Sequence, residues 1–331
     1  MIFKNFKKGS AMGTLNKIRY ACSVYMLMAV ATLVGCKPAD HPVESTQRSQ
    51  PPHVVLEHKD AEQVPLNIEV FNLGEHSTFA VSSVLVTGTK DAVLIDTQFS
   101  AADARQLVEK IKASGKRLMT IYISHGDPDY YFGLDIVHAA FPEAQLLATP
   151  QTIAHIQATK DAKLKLWGPQ LGQNAPKQIL IPKALEGDQL MLEGQALRII
   201  GLDRPTPDHT FVWIPSIRTI AGGILVTDAQ HVWMADTQTP QSHLDWLAML
   251  DRIKSLDPKV VVPGHFLPGA SLDGRSVTFT ADYIRAFDEE TAKAKDAAAL
   301  IAAMQRRYPG LGGEKSLEIS AKVAKGEMEW K

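Results

Sequence analysis

Short runs of apolar residues, separated by polar, glycine- and proline-containing segments, begin near residue 66 and continue along the chain. Such runs between turn signals predict strands. The predicted strands cover 66–73, 79–86, 92–95, 118–123, 144–149, 189–192, 196–202, 211–214, 218–226, 232–234 and 260–262. Because helical segments alternate with strands and hairpins in both halves, the pattern predicts an α/β fold with two sheets between helices.

Helical periodicity and capping residues predict the connecting helices. Ser100 is expected to cap a helix that ends at Gly115. Thr239 is expected to cap another helix, which stops before Pro258. Further helices are predicted after residue 134, over 150–166 and over 277–308, and a loop is predicted over 167–176.

The first 35 residues have the pattern of a secretory signal. They contain five basic and no acidic residues, followed by an apolar segment over 21–34. That segment is shorter than the ~20 residues that span a bilayer. It ends in Leu-Val-Gly-Cys36, which resembles a bacterial lipobox and implies lipidation of Cys36. Translation from Met12 would still give a complete signal, and the alternative is a free cysteine after an ordinary signal.

The residues after the lipobox predict where the protein goes and how it is attached. Lys37 resembles the sorting pattern that sends lipoproteins to the outer membrane, so we expect an exported protein facing the periplasm. Segment 36–64 is rich in proline and polar residues and is predicted to be a disordered tether. It holds His41, His53 and His58, for which solvated linker residues are a better interpretation than a metal site.

Removal of the predicted signal peptide changes the net charge and the number of cysteines of the remaining chain. The remaining 296 residues carry 30 basic and 36 acidic side chains, a formal net charge of −6. This charge disfavours nucleic acid as a partner, since phosphate binding needs clustered lysine and arginine. Cys22 leaves with the signal and Cys36 carries lipid, so no disulfide and no thiolate ligand is available. A transition metal must therefore be bound by His, Asp, Glu or Tyr.

The segment after the strand at 118–123 concentrates polar side chains that can bind a metal. His125, Asp127 and Asp129 alternate there beside Gly126 and Pro128, which force a turn. On a loop, side chains at this spacing can converge on one point. No glycine-rich phosphate loop and no Gly-x-Ser-x-Gly motif is present, which disfavours nucleotide binding and serine hydrolysis.

Three motifs in order resemble the metallo-β-lactamase superfamily. The loop at 125–130 is similar to its H-x-H-x-D-H signature, 207–210 to its Gly-His-Thr element, and 261–265 to its final Val-Pro-Gly-His. The resemblance covers about 66–268. It implies a metallo-β-lactamase-like αββα sandwich over 65–270, with a C-terminal helical extension over 271–331 packed on the same domain.

The resemblance also implies a set of metal ligands. One metal would be bound by His125, Asp127 and His209, and a second by Asp129, Tyr130 and His265. The second site is expected to bind metal less well, because the phenol of Tyr130, with a reference pKa of about 10, would have to lose its proton to bind zinc. It also lacks the bridging aspartate, where this chain has Gly223; Asp228 and Asp236 follow at a different spacing. We therefore expect one metal, with Zn²⁺ favoured and Fe²⁺ or Mn²⁺ as alternatives.

Further roles follow from the same resemblance. Asp96 is expected to support the metal loop by hydrogen bonding. Asp129 is expected to accept a proton from water, and Tyr130 to donate a hydrogen bond to an oxyanion. His231 and Asp236 are expected near the pocket. We expect the five His and Asp ligand candidates, His125, Asp127, Asp129, His209 and His265, to converge in one cleft.

The predicted function is metal-dependent hydrolysis of a small ester, lactone, thioester or amide. The fold hosts several chemistries, so two alternatives stay open. One is a mononuclear non-haem iron oxidoreductase. The other is a non-catalytic lipoprotein that binds a metal or ligand through an altered site.

Overall fold

The computed structural model describes residues 64–206 and 208–330. The predicted signal peptide, Cys36 and all of the predicted tether except residue 64 lie outside the described residues. Among the described helices, none is both long and apolar enough to cross a membrane.

The first sheet has six strands in sequential order from β1 to β6. They are β1 Asn67–Phe71, β2 Ser83–Thr87, β3 Asp91–Ile95, β4 Arg117–Ile123, β5 Gln145–Ala148 and β6 Lys183–Ala184. The first three strands pair antiparallel, and β3 to β6 pair parallel. Its helices are α1 Ala101–Ala113, α2 Pro128–Tyr131, α3 Leu134–Ala140 and α4 Pro150–Leu171. Since β3 and β4 are parallel neighbours, the loops after them lie at the same edge of the sheet.

The second half of the chain supplies the second sheet and its helices. The strands are β7 Gln189–Leu192, β8 Gln195–Ile200, β9 Phe211–Ile214, β10 Thr219–Ala221, β11 Thr227–Asp228, β12 Val260–Val261 and β13 His265–Phe266. Five of them form a sheet in the order β12-β10-β9-β8-β7, and β11 pairs with β13. The helices are α5 Pro240–Ser255, α6 Gly274–Lys293, α7 Ala297–Arg307 and α8 Glu314–Ala324.

Alternating side chains divide the interior into three apolar layers. In β2, Val84 and Val86 pack between the two sheets, whereas Leu85 packs under the first-sheet helices. In β9, Val212 faces the first sheet and Phe211 faces the helices of the second half. This period of two is what a strand buried on both faces requires. The result is the predicted αββα sandwich, with C-terminal helices packed on its second sheet.

Both predicted helix caps are confirmed. The Ser100 side chain accepts a hydrogen bond from the Asp103 N–H at 3.1 Å. Thr239 and Ser242 form a reciprocal capping box at the start of α5. These interactions are local in sequence, which explains why the pattern predicted them.

Three predicted elements before the C-terminal extension differ from the structure. The strand predicted over 218–226 stops at Ala221, because Gly222 and Gly223 take left-handed φ values of 70° and 79°. Segment 232–234 is not a strand. Helix α4 continues past Pro169 to Leu171, since buried Trp167 packs against Phe79 and Phe99 and outweighs the lost backbone hydrogen bond.

The C-terminal helix predicted over 277–308 is two helices. Asp296 breaks the segment because its side chain caps α7 by accepting from the Ala299 N–H at 2.8 Å. Helix α8 lies beyond the predicted segment; its buried residues are Leu317, Ser320 and Ala321. The apolar pattern predicted helix here but not its interruption, since a cap depends on a single polar side chain.

Candidate metal centre

Asp96 supports the site from the end of β3. It is completely buried, and its carboxyl accepts the Ser124 N–H at 2.8 Å while its other oxygen lies 2.5 Å from the Ser124 hydroxyl. The Ser124 hydroxyl also accepts the Gly223 N–H at 2.8 Å. Burial raises the pKa of Asp96 to about 8, because the Ser124 hydrogen bonds offset only part of the desolvation. Asp96 thus joins the loop after β4 to the second sheet.

Asp208 contacts the Nδ1 atoms of both predicted histidine ligands. Its backbone carbonyl lies 3.4 Å from His125 Nδ1, and its carboxylate Oδ1 lies 3.2 Å from His209 Nδ1. The two imidazole centroids are 5.4 Å apart. Since each Nδ1 faces an oxygen acceptor, we assign its proton there, which makes Nε2 the metal-binding atom of each ring. The Nε2 atom of His125 also lies 3.3 Å from the Asp127 carboxylate.

The charges around Asp208 reinforce this arrangement. Its second carboxylate oxygen lies 3.0 Å from His155 Nδ1. Burial acts to raise the pKa of Asp208, but the hydrogen bonds from His155 and His209 hold it below its ordinary value. Burial acts to lower the pKa of His209, and the Asp208 carboxylate outweighs it and raises this pKa. An ionised Asp208 therefore fixes the His209 ring.

Asp127 contacts two cationic or basic side chains. Its Oδ2 lies 3.3 Å from His125 Nε2, and its Oδ1 accepts a short hydrogen bond from the Lys163 ammonium. Burial acts to raise the pKa of Asp127, but Lys163 and then His125 lower it well below its usual value. Asp127 is therefore ionised, and one of its two carboxylate oxygens is already bonded to the Lys163 ammonium.

Asp129 and His265 form the other half of the candidate centre. Asp129 Oδ2 lies 3.1 Å from His265 Nε2. The ring of Tyr130 lies between the two halves, with centroids 5.2 Å from His125 and 5.7 Å from His265. The sequence-predicted side chains are thus joined in one continuous set of contacts.

Tyr130 is completely buried, and its hydroxyl donates a long hydrogen bond to the Gly223 carbonyl at 3.5 Å. Burial and then the Asp129 carboxylate raise its pKa well above the usual value. The phenol is therefore neutral, which disfavours it as a metal ligand. Its predicted oxyanion role requires the hydroxyl to leave Gly223 and stays a prediction.

Gly223 occupies a position that excludes a side chain. A Cβ there would lie 2.0 Å from the Thr210 carbonyl oxygen, and its φ of 79° is left-handed. An aspartate at this position would displace the backbone that carries His209. The position at which the resemblance implies a bridging aspartate therefore has no room for a side chain.

Asp228, His231 and Asp236 make their hydrogen bonds away from the histidine ligands. Asp228 accepts backbone N–H groups of Ala229 at 2.7 Å and Ser271 at 2.8 Å. The Nδ1 of His231 lies 2.9 Å from the Tyr283 hydroxyl. The Asp236 carboxylate accepts from the indoles of Trp233 and Trp330. Asp228 has a structural role, whereas His231 and Asp236 line the pocket described next.

A pocket of about 810 Å³, including its open mouth, lies beside Asp127, Asp129 and His265. Its apolar wall consists of Phe79, Pro128, Trp167, Ile224, Trp233 and Trp330. Trp330 donates to Asp236 at 2.7 Å, which fixes the C-terminal tail against the pocket. The C-terminal extension therefore forms part of the wall, and a largely aromatic lining with a few polar groups suits a small organic molecule.

Three residues of the site were missed by the sequence analysis: His155, Lys163 and Asp208. Lys163 lies in the buried stripe of α4 with Ile156 and Trp167, at spacings of seven and four. A lysine at such a position is the signal that could have identified it, because buried lysines need a partner. Asp208 stands next to His209, but its contact with His125 has no local signature.

The donor chemistry fits a single metal ion. Two imidazole Nε2 atoms and one carboxylate suit Zn²⁺ with open positions or non-haem Fe²⁺. Across residues 64–206 and 208–330, however, no three His, Cys, Asp or Glu side chains are grouped closely enough to hold a metal as they stand. The residues fit a metal by type, and their side chains must move closer together to complete the set.

Fold and site together define the class: an αββα sandwich with histidine and aspartate side chains gathered at one edge of its sheets. The sequence matches the metallo-beta-lactamase superfamily over residues 76–265, more than half of the chain. The chain therefore belongs to this superfamily. No curated protein matches the sequence.

Solved structures agree at the level of the fold. A metallo-beta-lactamase family protein from Thermus thermophilus is 17% identical, with a TM-score of 0.56 over 78% of this chain and 91% of that one. A beta-lactamase domain protein from Burkholderia ambifaria is 15% identical, with a TM-score of 0.56 over 80% of this chain and 90% of that one. At these identities the similarity is evidence for the shared architecture alone.

Proposed function

We propose that the protein is a metal-dependent hydrolase with one metal bound by His125, Asp127 and His209. Its substrate would be a small ester, lactone, thioester or amide bound in the tryptophan-lined pocket. The supporting observation is that Asp208 contacts the Nδ1 atoms of both His125 and His209, so that Nε2 is the atom of each ring that would bind the metal. Hydrogen bonding of the outer nitrogen is the usual support of a metal-binding histidine.

The roles of the residues follow from their positions. A metal held by His125, Asp127 and His209 would lower the pKa of water towards neutrality and so would provide a nucleophile. Asp129 lines the pocket beside His265, which supports its proposed role of accepting a proton there. The aromatic wall binds the apolar part of the substrate and excludes water. Tyr130 would donate a hydrogen bond to the oxyanion only after its hydroxyl leaves Gly223.

The test is metal analysis of the full chain, followed by assays with zinc, iron and manganese restored separately. We expect one metal per chain and zinc-dependent hydrolysis of a member of an ester, lactone, thioester and amide panel. His209→Ala should lose metal and activity together, because two protein ligands do not retain a metal against buffer. His76→Ala, which removes an exposed histidine, is the control.

Other outcomes would select the alternatives. Iron-dependent oxidation without hydrolysis would indicate a mononuclear iron oxidoreductase, for which two His and one carboxylate are also suitable. Stoichiometric metal binding without turnover would indicate a binding protein. Absence of metal binding would contradict the proposal.

We further propose that the protein is exported and anchored to the outer membrane, facing the periplasm, through lipid on Cys36. The support is the sequence of residues 1–37, which lies outside the described structure. The substrate is then a small molecule of the periplasm, and nucleic acid is not a partner.

A further inference from the structure

Lys163 is a buried cation inside the candidate metal centre. Its side chain is 10% exposed, and its ammonium donates a short hydrogen bond to Asp127 Oδ1. Its other contacts are the Gly126 carbonyl at 3.5 Å and His155 Nε2 at 3.3 Å. Burying an ammonium is costly unless a charged partner compensates. Asp127 is that partner, so the pair forms one unit.

The same carboxylate is the third donor of the proposed metal site. Its Oδ2 faces His125 Nε2 at 3.3 Å, while its Oδ1 is bonded to Lys163. One oxygen of Asp127 therefore belongs to the histidine side and the other to a positive charge. A divalent ion bound at this carboxylate would lie close to the ammonium, and like charges at such short range repel strongly.

We propose that Lys163 competes with the metal for Asp127, so that the chain itself limits the metal affinity of the site. This inference rests on the proposed metal-binding function. Competition from Lys163 would explain why the donors are correct in type and yet, within the described residues, no three of them are grouped around one point. Full coordination requires the Lys163 ammonium to withdraw from Asp127, towards the pocket that it lines.

The opposite role for Lys163 makes the opposite prediction. If the lysine orients Asp127 as a ligand, its removal should weaken metal binding by about 10–100-fold, the usual effect of losing a supporting hydrogen bond. If Lys163 competes, its removal should strengthen metal binding. The sign of the change separates the two roles.

The experiment is a calorimetric zinc titration of the full chain and its Lys163→Met variant, which keeps side-chain length but removes the charge. We expect K163M to bind zinc about tenfold or more tightly than the wild type. Lys165→Met is the matched control, since Lys165 lies on the exposed face of the same helix. Asp127→Asn and the double variant with Lys163→Met complete a double-mutant cycle. The gain in zinc affinity from Lys163→Met should disappear when the Asp127 charge is absent.

Equal or weaker binding by K163M would overturn the competition and leave the proposed metal site standing. Zinc binding by K163M but not by the wild type would support the competition and overturn the proposed function of the natural chain. Absence of binding in both would overturn both. If K163M does not fold, Lys163→Gln, which keeps N–H donors without the charge, is measured with the same outcomes.

Discussion

Asp208 contacts the Nδ1 atoms of both candidate histidine ligands, His125 and His209. Its carbonyl faces His125, and its carboxylate lies between His209 and His155. Only the carboxylate contacts are lost in Asp208→Ala, because the carbonyl belongs to the backbone. The variant therefore removes the carboxylate that supports His209 and leaves the candidate metal ligands themselves unchanged.

We expect Asp208→Ala to lower metal affinity by about 10–100-fold without changing the number of metals bound. Calorimetric titration with zinc measures both quantities. Asp203→Ala is the control, since Asp203 precedes it on the same loop and pairs with Arg252 on α5 at 2.7 Å. Unchanged affinity in Asp208→Ala would show that His209 is held by other contacts.

Tyr130→Phe separates ligation from catalysis. Because the phenol is buried and neutral, metal content should be unchanged in the variant. If the hydroxyl turns from Gly223 to an oxyanion during the reaction, turnover should fall by about 10²–10³-fold, the usual effect of losing such a donor. Loss of metal from Tyr130→Phe would instead identify Tyr130 as a ligand.

At the level of elements, Glu193 connects the two sheets. It lies in the turn between β7 and β8, and its carboxylate accepts the backbone N–H groups of Thr89, Lys90 and Asp91 in the turn between β2 and β3. These hydrogen bonds lower the pKa of Glu193 to about 2. The charged form is thus preferred in the folded protein.

Glu193→Gln should lower the urea midpoint at pH 7, because an amide accepts these bonds less strongly than a carboxylate. The folded-state pKa lies below the ordinary value, so the stabilisation is complete above about pH 4.5 and is lost as pH falls towards 2. The difference in urea midpoint between wild type and variant should therefore become smaller as the pH falls from about 4.5 towards 2. Glu186→Gln, at an exposed glutamate on the preceding loop, is the control; a difference independent of pH would contradict the charge-based explanation.

Helix α4 shows how one element serves both fold and site. Its Trp167 packs in the aromatic cluster with Phe79 and Phe99, and its Lys163 reaches Asp127. The aromatic packing fixes where the helix lies over the loop after β4. The position of the ammonium at the metal centre follows from that packing.

At the scale of the whole molecule, the C-terminal extension completes the pocket. Lys315 on α8 lies over the Trp167 ring at 5.2 Å from its centroid, and Trp330 packs on Trp233 with centroids 5.2 Å apart. These contacts connect residues far apart in sequence. The extension therefore contributes to the site as well as to the core.

The attachment of the whole protein is tested by Cys36→Ser. We expect this substitution to move the protein from the membrane fraction to the soluble periplasmic fraction, because stable anchoring needs the acyl chains. Cys22→Ser, within the segment to be removed, should leave fractionation unchanged. Membrane association that survives Cys36→Ser would contradict the lipoprotein assignment.

The sequence alone determined the features that depend on neighbouring residues. The apolar runs of the strands, the caps at Ser100 and Thr239, and the three ordered motifs all have local signatures. Together they predicted the αββα plan and the superfamily. The sequence also shows a glycine at position 223, where the resemblance implies a bridging aspartate. The structure added why this position excludes a side chain.

Tertiary structure alone decided the contacts that join distant segments. Lys163 and Asp127 are 36 residues apart, and Trp330 and Asp236 are 94 residues apart. No local pattern specifies which side chain of a buried stripe meets which loop, because that depends on how a packed helix crosses the sheet edge. Burial then sets the strength of the charge interactions, so only the folded structure shows that the Lys163 cation lies beside the candidate ligand Asp127.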